Sequence, residues 1–290
     1  MTADASFWIV QALNALQLSM LFFLLSVGLT VIFGLMHFIN LAHGALYALG
    51  AFVGVSAAGF AGSTWAAFAA APIAVALVGM LLYVVLIRRL RRAGPMNQVL
   101  VTFGLIFVFL DLFRMIWGDI ALGLAEPALL AGRSELFGIV YPTYRLFIIG
   151  LGLATMAVLS LVLARTQIGA VIRAGVDHEH MAACLGINVE RVFFVVFCVG
   201  CGLAGLAGAV AAPVLSVTTD MGTAILIPTL IVVVVGGLGS LKGAIAGSLL
   251  TGFVQTFGAV LAPQLAAIAI YAMLAAVLIL RPAGLFPARA

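Results

Sequence analysis

Long apolar stretches separated by short polar ones dominate the hydropathy pattern of this chain. None of these stretches alternates apolar and polar residues, as the strands of a membrane barrel do. Most of them approach or exceed the roughly 20 helical residues that cross a bilayer. The pattern therefore predicts an all-α fold, a polytopic transmembrane helical bundle. Its predicted spans are 8–33, 41–60, 65–87, 99–117, 144–163, 192–214, 225–241, 243–261 and 266–280.

The stretch at 225–241 is the weakest of the nine. It contains Pro228 and ends in a glycine-rich run, Gly236-Gly237-Leu238-Gly239-Ser240. Proline removes a helical hydrogen bond, and glycine favours a break. We expect either a full crossing or a broken or re-entrant helix near 225–241, which leaves eight or nine spans.

Composition and charge agree with a membrane protein. Hydrophobic residues make up 66% of the chain and charged residues only 8%, too little polar surface for a soluble protein of this size. The basic residues cluster in two places, at 88–92 and between Arg165 and Arg191. By the positive-inside rule both clusters are cytoplasmic, which puts the N-terminus and the loop 118–143 outside. No basic face is interleaved with aromatic residues, so no nucleic-acid partner is expected.

A few polar residues interrupt the apolar stretches and are candidates for the translocation pathway: Asn40, His43, Asp111, Arg114 and Gln255. Asn40 can cap the second helix, and His43 would follow in its first turn. Asn40 and His43 have two interpretations. They are either a helix cap followed by a histidine bound to a neighbouring helix, or an element of the substrate path. Asp111 and Arg114 share a helix face and can form a structural salt bridge near the outer interface, a gate or a substrate contact.

Small and polar residues also recur at helical spacing. Gln11, Asn14 and Gln17 form a polar stripe that we expect to face protein. Small residues repeat every four positions at Gly200, Ala204, Gly208 and Ala212, at Gly239, Gly243 and Gly247, and at Gly50 and Gly54. Such ridges let helix backbones approach closely in lipid. Residues 27–52 and 232–253 share an order of apolar helix, glycine, polar break and small-residue helix, the pattern of an internal repeat.

The segment 164–191 is too polar to cross the membrane. It predicts a surface helix of two to three turns, with Asp177 and Glu179 near its start and Gly186 at its end. It is either a connector or a docking helix for a cytoplasmic partner. His178 and His180 are two residues apart and point to different sides of a helix, so no metal site is expected. No phosphate loop or nucleophile elbow occurs, so the sequence predicts neither an enzyme nor a cofactor site in this chain.

Three blocks of sequence resemble one known family. They are 28–34 with 40–44, then 173–188 with 203–208, and finally 236–244 with 280–285. Together they resemble, from end to end, a permease of the branched-chain amino-acid ABC transporter family, the Liv type, and more closely its first permease subunit than its second.

The resemblance implies one transmembrane permease domain, 1–290, in the cytoplasmic (inner) membrane. It implies an ABC importer that carries branched-chain or related amino acids by ATP-driven alternating access. Two cytoplasmic ATPase subunits would hold the ATP, and a second permease subunit and a periplasmic binding protein would complete the system. Relatives also carry amides or urea, so the substrate stays open, as does the choice between an identical and a different second permease.

The resemblance also makes the segment 164–191 the ATPase-coupling segment. Its candidate coupling residues are Arg173, Gly175, Asp177, Glu179, Ala182, Ala183 and Gly186. The acidic residue common before the alanine pair is shifted upstream here, which leaves the exact partner contacts open. The main alternative is an ion-coupled secondary carrier for a small polar or amphipathic solute. Such a carrier needs an acidic site within the spans, for which Asp111 is the clearest candidate.

Overall fold

The computed structural model describes the backbone of residues 3–91, 93–136, 138–177 and 179–286, and the side chains of these residues except 3–5, 136, 176, 177, 179 and 180. Within these ranges the helices are α1 (Ala3–Met36), α2 (His43–Ala61), α3 (Thr64–Leu82), α4 (Arg88–Leu90), α5 (Pro95–Trp117), α6 (Thr143–Arg165), α7 (Gln167–Asp177), α8 (Glu179–Cys184), α9 (Val189–Ala211), α10 (Met221–Gly236), α11 (Leu241–Leu261) and α12 (Ala266–Leu280). One turn of π-helix, Tyr83–Ile87, joins α3 to α4.

Eight helical stretches of the described chain are long and apolar enough to cross a membrane. They comprise α1, α2, α5, α6, α9 and α11, the continuous stretch Thr64–Leu90, and Pro263–Leu280. The predicted all-α polytopic bundle is thereby confirmed. The number of long spans is eight rather than nine.

The ninth apolar stretch forms the shorter helix α10, which begins at Met221 and ends at Gly236. Its 16 residues extend about 24 Å, less than the roughly 30 Å of a bilayer core. Gly237 and Gly239 then take positive φ angles of 108° and 78°. Residues with a Cβ rarely adopt such φ angles, so glycine is favoured at both positions. The turn leads the chain back into α11. The hydroxyl of Ser240 begins α11 by accepting from the N–H of Gly243 at 3.1 Å.

Helices α1 and α9 form the centre of the bundle. α1 packs against α6, α9 and α11, while α9 also packs against α2 and α3. The predicted small-residue ridges lie at these contacts, because Gly200 meets Gly28 of α1 and Gly205 meets Gly50 of α2. Cys201 fits against Gly79 of α3 and remains a free thiol. Close backbone approach at these glycines therefore lets α9 pack tightly against α1 and α2.

A short β-hairpin, which the sequence analysis did not predict, lies in the loop between α5 and α6. Strands β1 (Arg133–Leu136) and β2 (Ile139–Pro142) pair antiparallel. Ile139 and Tyr141 are buried while Val140 between them is exposed. This alternation, the normal one for a strand, rests one face of β2 on the bundle.

The two ends of the bundle differ in charge. We call the end with α4, α7 and α8 the basic end, because Arg88, Arg91, Arg165 and Arg173 lie there. The other, the hairpin end, carries the β-hairpin and the C-terminal end of α9. There Leu122 and Val217 form an isolated antiparallel bridge, and the hydroxyl of Thr219 donates to Asp119 at 2.9 Å.

Candidate translocation and coupling sites

The break between α1 and α2 is held by Asn40. Its side-chain Oδ1 accepts from the N–H of Ala42 at 3.1 Å, and its backbone carbonyl accepts from the N–H of His43 at 3.3 Å. Asn40 thus forms an Asx turn just before α2 and is not the predicted N-cap, because the N-cap residue is Ala42, which makes no side-chain cap bond. Asn40 is 2% exposed, so this polar residue lies inside the protein.

His43, the first residue of α2, is fully buried. Its Nε2 lies 3.1 Å from the carbonyl oxygen of Leu25 in α1, within hydrogen-bonding distance. Its Nδ1 has no partner in the described part of the chain. The structure therefore brings Asn40 and His43 together as an Asx turn followed by a histidine bound to the neighbouring helix.

The contact with Leu25 sets the depth at which α2 begins. Leu25 lies eleven residues before Met36, the end of α1, or about 16 Å along the helix axis. The chain thus turns back after α1, and α2 starts near the level of the middle of α1. The start of α10 lies at the same place, because a Cβ on Gly222 would lie 2.7 Å from the carbonyl oxygen of Gly44. Two helices therefore begin side by side inside the bundle.

Helix α11 presents polar residues to the interior. Ser248 and Thr251 are fully buried, and Gly252 lies against Ser19 of α1. The Oγ1 of Thr251 and the Oε1 of Gln255 have no hydrogen-bond partner within the described residues. Unpaired polar atoms at membrane depth are costly, and both of these atoms can still accept a hydrogen bond.

Asp111 and Arg114 lie away from this interior region. They are 3.8 Å apart on α5, near its hairpin-end terminus, and the guanidinium of Arg114 also lies 3.8 Å from Asp119. The side chains are 71% and 49% exposed for Asp111 and Arg114. This geometry matches the interpretation of Asp111 and Arg114 as a salt bridge near one end of the bundle. Both residues lie away from Asn40 and His43.

The polar stripe on α1 anchors the hairpin. Oδ1 of Asn14 accepts from the Tyr141 hydroxyl at 3.0 Å and from Arg145 Nη1 at 2.8 Å, while its amide donates to Gln11. Burial raises the pKa of Tyr141 above its usual value, an effect that Arg145 opposes. The hydroxyl therefore stays protonated at neutral pH and remains a donor. As predicted, the stripe faces protein.

The segment 164–191 forms two helices, α7 and α8. The predicted surface helix starts earlier than expected, at Gln167, so Asp177 is the last residue of α7 rather than near its start. Glu179 is the first residue of α8. The side chains of both acidic residues, and His178, lie outside the described residues. The physical reason for the shift is that the apolar residues from Ile168 onward already provide α7 with a face to bury.

The contacts of the described coupling candidates differ. Arg173 donates to the carbonyl oxygen of Leu163 at the end of α6. Gly175 is buried, and a Cβ there would lie 3.9 Å from Val189 of α9. Ala182 is 2% exposed, whereas Ala183 is exposed. One alanine of the pair thus packs inward while the other faces out.

Gly186 ends α8 with a recognisable capping motif. Its φ is +85°, and its N–H donates to the carbonyl of Ala183 at 3.0 Å. The N–H of Ile187 donates to the carbonyl of Ala182 at 3.1 Å. These two bonds are those of a Schellman motif, in which glycine takes the left-handed position. The predicted stop at Gly186 is confirmed.

Sequence reasoning missed a cluster around Glu190 that follows the coupling segment. Its carboxylate accepts from the Tyr83 hydroxyl at 2.9 Å and lies 3.3 Å from Arg88 and 3.1 Å from Arg91. Arg91 also stacks 3.8 Å over the ring of Phe193. The cluster joins the first turn of α9 to the end of the α3–α4 stretch. The partners are about 100 residues apart in the chain, so no local pattern predicts that they meet. The basic run 88–92 was the one signal in the sequence.

Comparison with known proteins identifies the family. The family described as branched-chain amino acid transport system, permease component, matches residues 11–280. No solved structure matches the chain significantly.

The curated relatives carry permease names. The chain is 29% identical over 207 residues to the high-affinity branched-chain amino acid transport system permease protein BraD of Pseudomonas aeruginosa, which covers 67% of each protein. It is 26% identical to LivH of Salmonella typhimurium and 25% identical to LivH of Escherichia coli, each over 212 residues and 69% of both proteins. Since the family match spans nearly all of the helical bundle, the chain belongs to the permease components of branched-chain amino acid transport systems, a multi-pass protein of the inner membrane.

Proposed function

We propose that this chain is the permease subunit of an ABC importer that moves branched-chain or related amino acids across the cytoplasmic membrane by ATP-driven alternating access. The observation that carries the proposal is the family match over residues 11–280. The printed names of BraD and LivH, which specify high-affinity branched-chain amino acid transport, support this class of substrate.

The proposal assigns the hydrolysis of ATP to separate subunits. The system would contain two cytoplasmic ATPase subunits, a second permease and a periplasmic binding protein, with this chain as one transmembrane domain, 1–290. The positive-inside rule assigns the basic end to the cytoplasm. The segment 164–191 then lies where a cytoplasmic ATPase could reach it.

Within that segment, Arg173, Gly175, Asp177, Glu179, Ala182, Ala183 and Gly186 are the proposed coupling residues. ATP binding would draw the two ATPase subunits together and move α7 and α8 with them. Gly175 lies close to Val189, and Glu190 binds Tyr83 and Arg91. Movement of the segment would therefore pass to α9 and from there to the α3–α4 stretch. The motion selects between two arrangements of the bundle, facing outward or inward.

The proposed pathway passes the place where α2 and α10 begin. Interrupted helices near mid-membrane are a common way to build a transport site. Asn40 and His43 lie at this break, and Gln255 has an unpaired buried oxygen. Asp111 and Arg114, exposed at the hairpin end, would act at the entrance rather than at the central site.

The test is affinity purification of the full chain from its native membrane in mild detergent, with identification of the co-purified proteins and uptake measured after reconstitution. We expect two ATPase subunits and a second permease, and uptake that requires ATP. If the chain purifies alone and catalyses uptake driven by an ion gradient, the proposal is wrong. The chain would then be a secondary carrier, with Asp111 the first residue to replace.

A further inference from the structure

A cavity of about 800 Å³ lies in the basic-end half of the bundle, between α6, α7 and α9. Val31 of α1 lies behind it, and Ile168 and Val171 of α7 close it toward the basic end. Leu159 of α6 and Val195 of α9 are among the aliphatic residues on its two sides. At about 30 Å³ per water molecule in the liquid, this volume corresponds to more than about 20 waters.

The cavity opens sideways. Helices α6 and α9 make almost no direct contact with each other, so the space between them is not closed by packing. Val195 and Val199, which line the cavity, are 48% and 51% exposed. In a membrane this opening faces the acyl chains of the lipid or another membrane-spanning helix.

The polar groups of the cavity collect at one end. They are Gln167, Asn188 and Arg191, which belong to the end of the bundle where α7 and the first turn of α9 meet. Arg165, the exposed last residue of α6, lies two positions before Gln167. Of the described side chains that line the cavity, none is acidic. The charge at this end therefore suits an anion.

We propose that this cavity binds one anionic phospholipid, with its acyl chains between α6 and α9 and its phosphate at Arg191. The Leu, Ile and Val side chains of the groove pack against the acyl chains, but acyl chains gain no hydrophobic free energy on moving there from bulk lipid. The cationic end is therefore what distinguishes one lipid from another. Basic pockets between membrane helices on the cytoplasmic side are known to select anionic headgroups. The proposal does not depend on which solute the protein transports.

An aliphatic groove with a cationic end favours a lipid over a protein helix as its occupant. A helix of a second permease would bring neither a phosphate to Arg191 nor two flexible chains to the groove.

The first experiment is native mass spectrometry of the full chain, after exchange into nanodiscs containing equal amounts of phosphatidylglycerol and phosphatidylcholine. We expect several-fold preferential retention of phosphatidylglycerol.

Val195→Trp should abolish retention of either lipid by filling the groove. Val158→Trp, at an exposed position of α6 outside the lining, is the matched control and should retain it. Arg191→Gln should remove the preference for the anionic lipid. Equal retention of both lipids, or retention unchanged by Val195→Trp, overturns the proposal.

The second experiment does not depend on the folding of the tryptophan variant. Benzoylphenylalanine at position 195 is photoactivated in intact membranes, and the mass of the adduct is measured. A phospholipid adduct supports the proposal. An adduct to a polypeptide, or no adduct, overturns it.

Discussion

The backbones of Gly34 and Gly239 touch. A Cβ on Gly34 would lie 2.8 Å from the Cα and 3.0 Å from the carbonyl oxygen of Gly239. Gly34 precedes the break between α1 and α2, and Gly239 lies in the break between α10 and α11. The two interrupted regions that share a sequence pattern are therefore in direct contact.

Replacement of Gly34 by valine should separate these two breaks. Overpacking of a close contact typically costs about 1–3 kcal/mol, and here the neighbour is backbone, which cannot rotate away. We expect a lower midpoint of thermal unfolding in detergent and loss of uptake. The control is Gly104→Val, because no atom lies within 4 Å of a Cβ at Gly104. Equal stability of the two variants would refute the argument from contact.

The left-handed backbone conformation of Gly186 offers a test of the coupling segment. Its positive φ disfavours a β-branched side chain, although no atom lies within 4 Å of a Cβ there. Gly186→Val should cost roughly 1–2 kcal/mol in local strain and should uncouple ATP hydrolysis from uptake in proteoliposomes. Gly186→Asn, which tolerates the left-handed region, is the control and should stay coupled. Normal transport by the valine variant would exclude the docking role.

The Glu190 cluster should stabilise the contact between α9 and the α3–α4 stretch. Glu190→Gln removes the charge that pairs with Arg91, whose side chain is only 15% exposed. The pair with Arg88, 66% exposed, should contribute little because solvent screens it. We expect a loss of about 1 kcal/mol in the free energy of unfolding and a lower rate of uptake.

The matched control for this prediction is Glu135→Gln, the same substitution at an exposed position of β1. It should change neither stability nor uptake by a measurable amount. A Glu190→Gln variant as stable and active as this control would show that the cluster plays no part in coupling.

The hairpin anchor predicts a smaller effect. Tyr141→Phe removes the donor to Asn14 but leaves Arg145 bound to the same oxygen. Because one acceptor keeps one partner, we expect a loss of about 1 kcal/mol or less, measured by thermal unfolding. Tyr271→Phe on α12, where the side chain is 53% exposed, is the control. A larger loss from Tyr271→Phe would contradict the assignment of Asn14 as the anchor.

Local features of the bundle could be predicted from sequence because they depend on neighbouring residues. A helix in lipid satisfies its own backbone, so each long apolar stretch determines its own span. The polar turn at Asn40 and the stop at Gly186 likewise depend on residues within a few positions. The start of α7 at Gln167 was misplaced because its apolar face gains stability only from the helices beneath it.

The order of apolar and polar residues was enough to predict that the chain crosses the membrane, roughly where it does so, and which segments break. The folded bundle was needed to show which distant groups meet: Glu190 with Tyr83 and Arg91, Gly34 with Gly239, and the start of α2 with the start of α10. It also decided that α6 and α9 leave a cavity between them. The physical reason is that these contacts depend on how helices pack, and many packings bury similar apolar faces equally well in lipid, where no hydrophobic force selects among them.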